Sequence, residues 1–272
     1  MRLSTSFRVV VLGILGLFFL LPIVASARFS FVGNHGSLTI SAYTQLFSTP
    51  EFWTTLWLSV RVAVGSVFLT LVLLVPTVVW IHLRLPRLRR TFESISLLPL
   101  VIPSVVVTLG VITTFKHLPN VIIGTPIILA LEYVVLALPY TYRSIDAAVQ
   151  AVDLVTLVDA ARSLGSSWWK LLFWVLLPSF RSGILAAALL AFAFGIGEFA
   201  VASLLSFTTF PVFLVQVGQT AASQAVALSL IALVFTWLPL AAIMLGFGRR
   251  RAVKSTAAVP GSLAIVDLTT TE

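Results

Sequence analysis

The chain of 272 residues is 59% hydrophobic and only 10% charged, carries a net charge of +8 and contains no cysteine. That much apolar side chain exceeds what a soluble core of this size buries, so the bilayer is the expected solvent. Disulfides, cysteine nucleophiles and thiolate metal sites are excluded, and His35, His82 and His117 fall in or beside expected loops without metal-ligand spacing.

A membrane-crossing helix needs about 20 mainly apolar residues, because the hydrocarbon core is roughly 30 Å thick and a helix rises about 1.5 Å per residue. Six stretches meet this requirement: 9–27, 54–81, 95–115, 121–140, 183–205 and 224–247. The first follows a basic start and ends near Ala25-Ser26-Ala27, an imitation of a cleaved secretory signal. Its apolar run is longer than the roughly 7–15 residues of a signal core, so it is read as a retained span. Residues 28–53 mix Gly33, Asn34, Gly36 and Pro50, which predicts a loop with a short amphipathic piece near 40–47. Trp53 and Trp57 then mark an interface belt. Pro22, Pro76, Pro99, Pro103, Pro126 and Pro139 lie within or at the ends of the spans, where they are expected to act as kinks.

Between the fourth and fifth spans lies a long connection, 141–182. Ile145, Val149, Val152 and Thr156 share one helical face while Asp146, Gln150 and Asp153 share another, a pattern for a helix along or leaving the membrane surface. Gly165 is the expected turn, with a second helix from Trp168-Trp169-Lys170 returning to the bilayer. After Arg251 the composition becomes small and polar, predicting a disordered tail. The chain therefore divides into a first span with its loop (1–53), a transmembrane domain (54–248) containing the 141–182 loop, and a tail (249–272).

Six crossings put both termini on one side. Arg2, Arg8, Arg84, Arg87, Arg89, Arg90, Arg143, Arg162, Lys170, Arg181, Arg249, Arg250, Arg251 and Lys254 fall on that side, against Arg28 and Lys116 on the other. The positive-inside rule makes the rich side cytoplasmic. The basic balance thus reports topology and contact with anionic membrane lipid, and nucleic acid is not expected as a partner.

The 141–182 loop contains Asp159-Ala160-Ala161, three residues, Gly165, nine residues, then Val175, Leu176 and Leu177-Pro178. This resembles the signature of the permease subunits of binding-protein-dependent ABC importers: Glu-Ala-Ala, three residues, Gly, nine residues, Ile, one residue, Leu-Pro. Asp159 replaces Glu and Val175 replaces Ile, with every spacing kept. The resemblance covers about spans two to six and implies an all-α integral membrane fold, the type I ABC importer transmembrane domain. It implies that Asp159, Ala160, Ala161, Arg162, Gly165, Leu177 and Pro178 belong to a loop docking on a separate ATPase. The small alanines would let the helix sit close in a groove, with Asp159 near its start favoured by the helix dipole and Arg162 at the rim. Two ATPase subunits, a second permease, identical or homologous, and an extracytoplasmic solute-binding protein complete the implied assembly. No Gly-x-x-x-x-Gly-Lys-Ser/Thr loop is present, so ATP and Mg are expected on the ATPase and no cofactor on this chain.

Arg61, Glu132 and Glu198 fall inside spans, where an unpartnered charge at the bilayer centre costs roughly 2.5–3.5 kcal/mol. Arg61 and Glu198 lie at comparable depth and are read as an ion pair; alternatively Glu132 and Glu198 line the translocation path. Gly195 and Gly197 either loosen the fifth span or allow close packing. The sequence looks like the subgroup with permeases for polyamines, molybdate, sulfate, ferric iron and aminoethylphosphonate. Two intramembrane carboxylates against one Arg point to a polyamine cargo. An intramembrane enzyme lacks a Ser-His pair, a two-Asp site or clustered ligands, and a secondary transporter or channel would have no use for the loop signature.

Overall fold

The computed structural model describes residues 5–32, 37–115 and 124–256. Lys116, His117, His35 and the tail from 257 therefore lie outside the described residues, as does the start of the fourth expected span. The described residues form helices, joined by turns and one isolated bridge between Val32 and Leu38. The helices are α1 (Thr5–Ser30), α2 (Ser41–Ser48), α3 (Pro50–Arg84), α4 (Arg89–Ser96), α5 (Leu98–Val101), α6 (Ser104–Phe115) and α7 (Ile127–Gln150). They continue as α8 (Leu154–Ser163), α9 (Trp168–Ser179), α10 (Arg181–Gly197), α11 (Ala200–Leu204), α12 (Phe210–Gly218) and α13 (Ala222–Thr256). The chain separates into two compact units, residues 1–230 and 231–272, the second represented among the described residues by helical residues 231–256.

Among the described residues, Val9–Ser30 and Pro50–Arg84 are each long and apolar enough to cross a membrane. Two bent pairs, Pro86–Val101 with Ser104–Phe115 and Trp168–Ser179 with Arg181–Gly197, pass the same test when each is taken as one broken span, and Ala222–Leu238 is a shorter apolar helix. Helix α7 is not in that set; it carries Glu132, Arg143 and Asp146. The apolar stretch of α1 leaves its side chains exposed, while α3 buries one side of its length.

The prolines divide by position. Pro22, Pro76 and Pro139 are carried inside α1, α3 and α7. The third expected span, by contrast, is not one helix: it turns by 96° at Ile102-Pro103. Steric conflict with a following proline drives the preceding residue out of helical geometry, and Ile102 is extended at φ −94°, ψ 120°. The fifth span is likewise interrupted, ending at an extended Glu198 (φ −75°, ψ 120°) before α11 begins.

The centre of the larger unit is the packing of α3, α7 and α10 on one another. Apolar side chains gain little by leaving lipid for protein, so such contacts depend on close approach of small residues. Ala63, Ala137, Ala187 and Ala191 are fully buried. A Cβ placed on Gly183 would stand 2.2 Å from the Ala148 Cβ and 2.8 Å from the Ser144 carbonyl oxygen; one on Gly195 would stand 2.9 Å from the Ala63 Cα. The Ser144 hydroxyl adds a 3.2 Å hydrogen bond to the Gly183 carbonyl. Close packing is thus the role of Gly195, whereas Gly197 has nothing within 4 Å of its would-be Cβ.

The other end of the unit is pinned by aromatic and polar contacts. Helix α2 matches the expected amphipathic piece, and the Trp53 indole donates to the Phe47 carbonyl at 3.0 Å. Phe52 packs edge-on against Phe47, Trp53 and Phe210, and the Phe210 amide donates to the buried Ser59 hydroxyl at 2.8 Å.

Overpacking a filled contact costs about 1–3 kcal/mol, more when backbone opposes it. Gly183→Ala and Gly195→Val are therefore expected to lower the thermal unfolding midpoint of the detergent-solubilised protein, while Gly197→Ala leaves it unchanged within error. Equal midpoints for all three would contradict the close-packing account.

Candidate functional site: the loop 159–178 and the intramembrane charges

Helix α7 runs to Gln150, and the chain then turns through Ala151–Asp153 into α8, so the expected continuous face from Ile145 to Thr156 is split between two helices. The split has a chemical cause. Asp153 is the N-cap of α8: its carboxylate accepts the Thr156 amide at 3.2 Å and the Thr156 hydroxyl at 2.7 Å. These hydrogen bonds, the hydroxyl's foremost, hold the Asp153 carboxyl below the usual carboxylate range. Asp159, expected near a helix start, instead lies in the second half of α8; the acidic residue that meets the helix dipole is Asp153, because its side chain reaches the free first-turn amides.

Helix α8 sits on an apolar base. Leu154 and Val158 are buried with Val78, Val79, Ile145, Val149, Leu171, Leu172, Leu176 and Phe180, and Ala161 packs against them. Asp159, Ala160 and Arg162 point outward and are exposed. The two alanines expected to act together are thus divided: Ala160 is on the presented face and Ala161 is part of the seat. A groove lies between α8 and the end of α3, lined by Trp80, Arg84, Val155, Asp159, Arg162 and Trp168 among others.

Gly165 turns the chain from α8 to α9 at φ +74°, where a side chain would be strained. The Ser166 amide closes the turn on the Ala161 carbonyl at 3.0 Å. Next to it Leu164 is 88% exposed, which leaves a large apolar side chain at the tip of the loop. Leu177 packs against the base, and exposed Pro178 lies beside the 79° turn between α9 and α10. Proline has no amide hydrogen, and its ring conflicts with the carbonyl four residues back, here Trp174. Leu171–Leu176 is wound as a wider π-helix, a form that accommodates such a conflict. Within this chain, then, Leu177 and Pro178 join the base and the bend; they are not on the outward face of α8.

The three charges expected inside spans are not brought together. Arg61 lies with its guanidinium carbon 5.8 Å from the centre of the Trp57 ring, a cation–π contact. Among the described residues the ion pair of fixed charges is Arg89–Asp146, with the His82 Nε2 lying 3.3 Å from the same carboxylate, so the expected Arg61–Glu198 pair is not formed. Glu198 is used locally: its Oε1 accepts the amides of Ala200 and Val201 at 3.0 and 3.2 Å, closing the start of α11. The break in the fifth span freed those amides and gave the carboxylate closer partners than Arg61. Glu132 is buried, with Oε1 accepting the Thr108 hydroxyl across from α6 and Oε2 without a protein partner. Tyr133, beside it, reaches the Glu198 carbonyl at 3.5 Å.

Two features escaped the sequence reading. Asp153 carries a visible capping signal in Asp153-Leu154-Val155-Thr156. Asp146, buried beside His82 and Arg89, has no local signal for the ion pair it makes, because Arg89 and His82 lie some sixty residues away.

Residues 79–251 match the family described as "binding-protein-dependent transport system inner membrane component". The molybdenum transport system permease proteins ModB of Mycobacterium bovis and Mycobacterium tuberculosis are each 32% identical to the chain over 227 residues, covering 75% of this chain and 82% of theirs. The spermidine/putrescine transport system permease protein PotB of Haemophilus influenzae is 25% identical over 213 residues, 69% of this chain and 72% of its own. Among solved structures, an amino acid ABC transporter crystallised with histidines shares the fold at a TM-score of 0.55 and 19% identity, over 78% of this chain and all of the matched chain. The family match spans more than half of the sequence and includes the whole loop, so the chain belongs to the inner membrane components of binding-protein-dependent transport systems, the permease subunits of type I ABC importers.

Proposed function

We propose that this permease couples to its ATPase through the outward face of α8, and that its cargo is molybdenum as the molybdate oxyanion. The observation that carries the coupling reading is the division of α8 into a buried base, Leu154 and Val158, and a presented face, Asp159, Ala160 and Arg162. A short helix held from beneath and open above suits transmission of a push between rigid bodies. Leu164 at the exposed turn and the groove beside Trp168 extend the docking surface. In this reading Leu177 and Pro178 act from below, by setting the angle at which α9 enters α10.

The topology proposed is six crossings with both termini cytoplasmic and the 141–182 loop on the cytoplasmic side, on the strength of the basic-residue asymmetry. Residues 1–53, 54–248 and 249–272 are the corresponding segments. The working assembly has two permeases, two ATPases that bind ATP and Mg, and an external solute-binding protein. This chain itself acts as a transport subunit and not as the ATP-hydrolysing one.

Molybdate is favoured by the 32% identity to the mycobacterial molybdenum permeases across 75% of the chain. A polyamine cargo rested on two intramembrane carboxylates free to attract a polycation. Glu198 is engaged by backbone amides and Glu132 by Thr108, which weakens that argument, although similarity to the spermidine/putrescine permease keeps polyamines as the alternative. If Glu132 faced the path, its free Oε2 would be the group to do so.

Vesicles reconstituted with the permeases, ATPases and binding protein are expected to take up labelled molybdate only with internal ATP and to ignore spermidine. Uptake that persists without the ATPase would sink the importer reading, and spermidine uptake without molybdate uptake would transfer the assignment to polyamines. Gly165→Val, which places a branched side chain at φ +74°, is expected to cut ATP-dependent uptake by about tenfold or more, given a strain cost of roughly 1–3 kcal/mol. Wild-type uptake by this variant would remove the turn from the coupling account. Glu198→Gln keeps an oxygen acceptor for the Ala200 and Val201 amides, so normal transport by this variant is the expected result; complete loss of transport with α11 intact would restore a pathway role for the charge.

A further inference from the structure

Beneath α8 there is one buried charge with no part in the scheme above. Asp146 on α7 is 6% exposed. Arg89 grips it with two prongs: Nε donates to Oδ1 at 3.1 Å and Nη2 to Oδ2 at 3.1 Å. The His82 ring lies alongside, its Nδ1 donating to the Val78 carbonyl at 2.9 Å and its Nε2 3.3 Å from Oδ1 without a hydrogen bond. From one turn along α7, the Gln150 amide donates to Oδ2 at 2.5 Å. These partners belong to separate elements: His82 to the last turn of α3, Arg89 to the first residue of α4, and Gln150 to α7 itself. Around them lie Val78, Val79, Ile145 and Val149, the same side chains that seat Leu154 and Val158 of α8.

We propose that Asp146 is a positioning residue for energy coupling, tying the end of α3 and the start of α4 to α7 so that the seat of α8 moves as one body. The inference rests on the importer reading and deepens it. Apolar contacts alone would leave this seat able to slide, because dispersion has no preferred direction and many near-equal packings exist. A carboxylate held by a two-pronged guanidinium and an amide has one low-energy arrangement, and losing it leaves Arg89 facing no counter-charge. A buried ion pair adds little net stability over an apolar replacement, so the consequence here is geometric: displacement of α8 passes to α3 and α4 without being absorbed by slack between them.

The chain has no cysteine, so a pair of spin labels can be placed cleanly. Ser94 on α4 and Ser163 on α8 are both exposed and are replaced by cysteine in the complete complex with ATPase and binding protein. With Asp146 intact, the label-to-label distance is expected to be single and identical with and without ATP. In Asp146→Asn the distribution should widen about twofold or more and shift on adding ATP, and the ATP hydrolysed per molybdate imported should rise by about fivefold, the size expected when a coupling energy of order 1 kcal/mol is lost. An unchanged distance distribution and an unchanged ATP-to-molybdate ratio overturn the proposal. So does a lowered thermal midpoint with the ratio unchanged, since a purely stabilising role would do that. Should Asp146→Asn fail to assemble, Arg89→Gln carries the same test, because it removes the two-pronged contact while the carboxylate keeps Gln150. If the wild-type complex does not import molybdate, the cargo assignment fails while the distance measurement still decides the role of Asp146.

Discussion

The close approach of α10 to α7 and α3 is the constraint on which the rest of this structure depends. Where Gly183 meets Ala148 and Gly195 meets Ala63, the helices stand so near that even a methyl group has no room. In water, burial of large apolar side chains would drive such an assembly; in lipid that driving force is nearly absent, and contact quality takes its place. Small residues set the distance, and the distance determines which polar groups can meet. Ser144 reaches the Gly183 carbonyl because nothing larger than hydrogen stands between the helices. The buried base of α8 is the continuation of the same packing, with Ala187 in the cluster that holds Leu154 and Val158.

On this closely packed triad the helices that are broken acquire their meaning. A helix end leaves backbone amides and carbonyls without intrahelical partners, and they are satisfied by side chains close in sequence. Glu198 closes the start of α11 with its own carboxylate, Asp153 does the same for α8, and the π-wound Leu171–Leu176 relieves Pro178. Acidic side chains at two of these points therefore serve the backbone first. That accounts for the failure of the Arg61–Glu198 pairing: the freed amides of α11 sit two and three residues from the carboxylate, and Arg61 finds Trp57 on its own helix.

Much of the architecture was legible in the residues. The loop signature from Asp159 to Pro178 identified the family, Gly165 announced its left-handed turn, and the piece near 40–47 emerged as α2. Hydropathy located the apolar segments but not their breaks, because a window average passes over Pro103 and Glu198 without registering that a helix ends there. The expected helical face from Ile145 to Thr156 is broken for a related reason: Asp153 is more than one polar position among three, because its acceptor oxygens start a new helix.

By itself the sequence determined the solvent, the approximate apolar segments and the signature loop from Asp159 to Pro178, since these depend on composition, short-range pattern and fixed spacing, all of which are local. The tertiary structure alone decided which face of α8 is presented, which alanine serves as seat and which as surface, and that Asp146 is gripped by Arg89 beside His82. Those outcomes depend on side chains some sixty positions apart arriving in one place. No local pattern encodes that arrival, because it follows from how closely α3, α7 and α10 can pack.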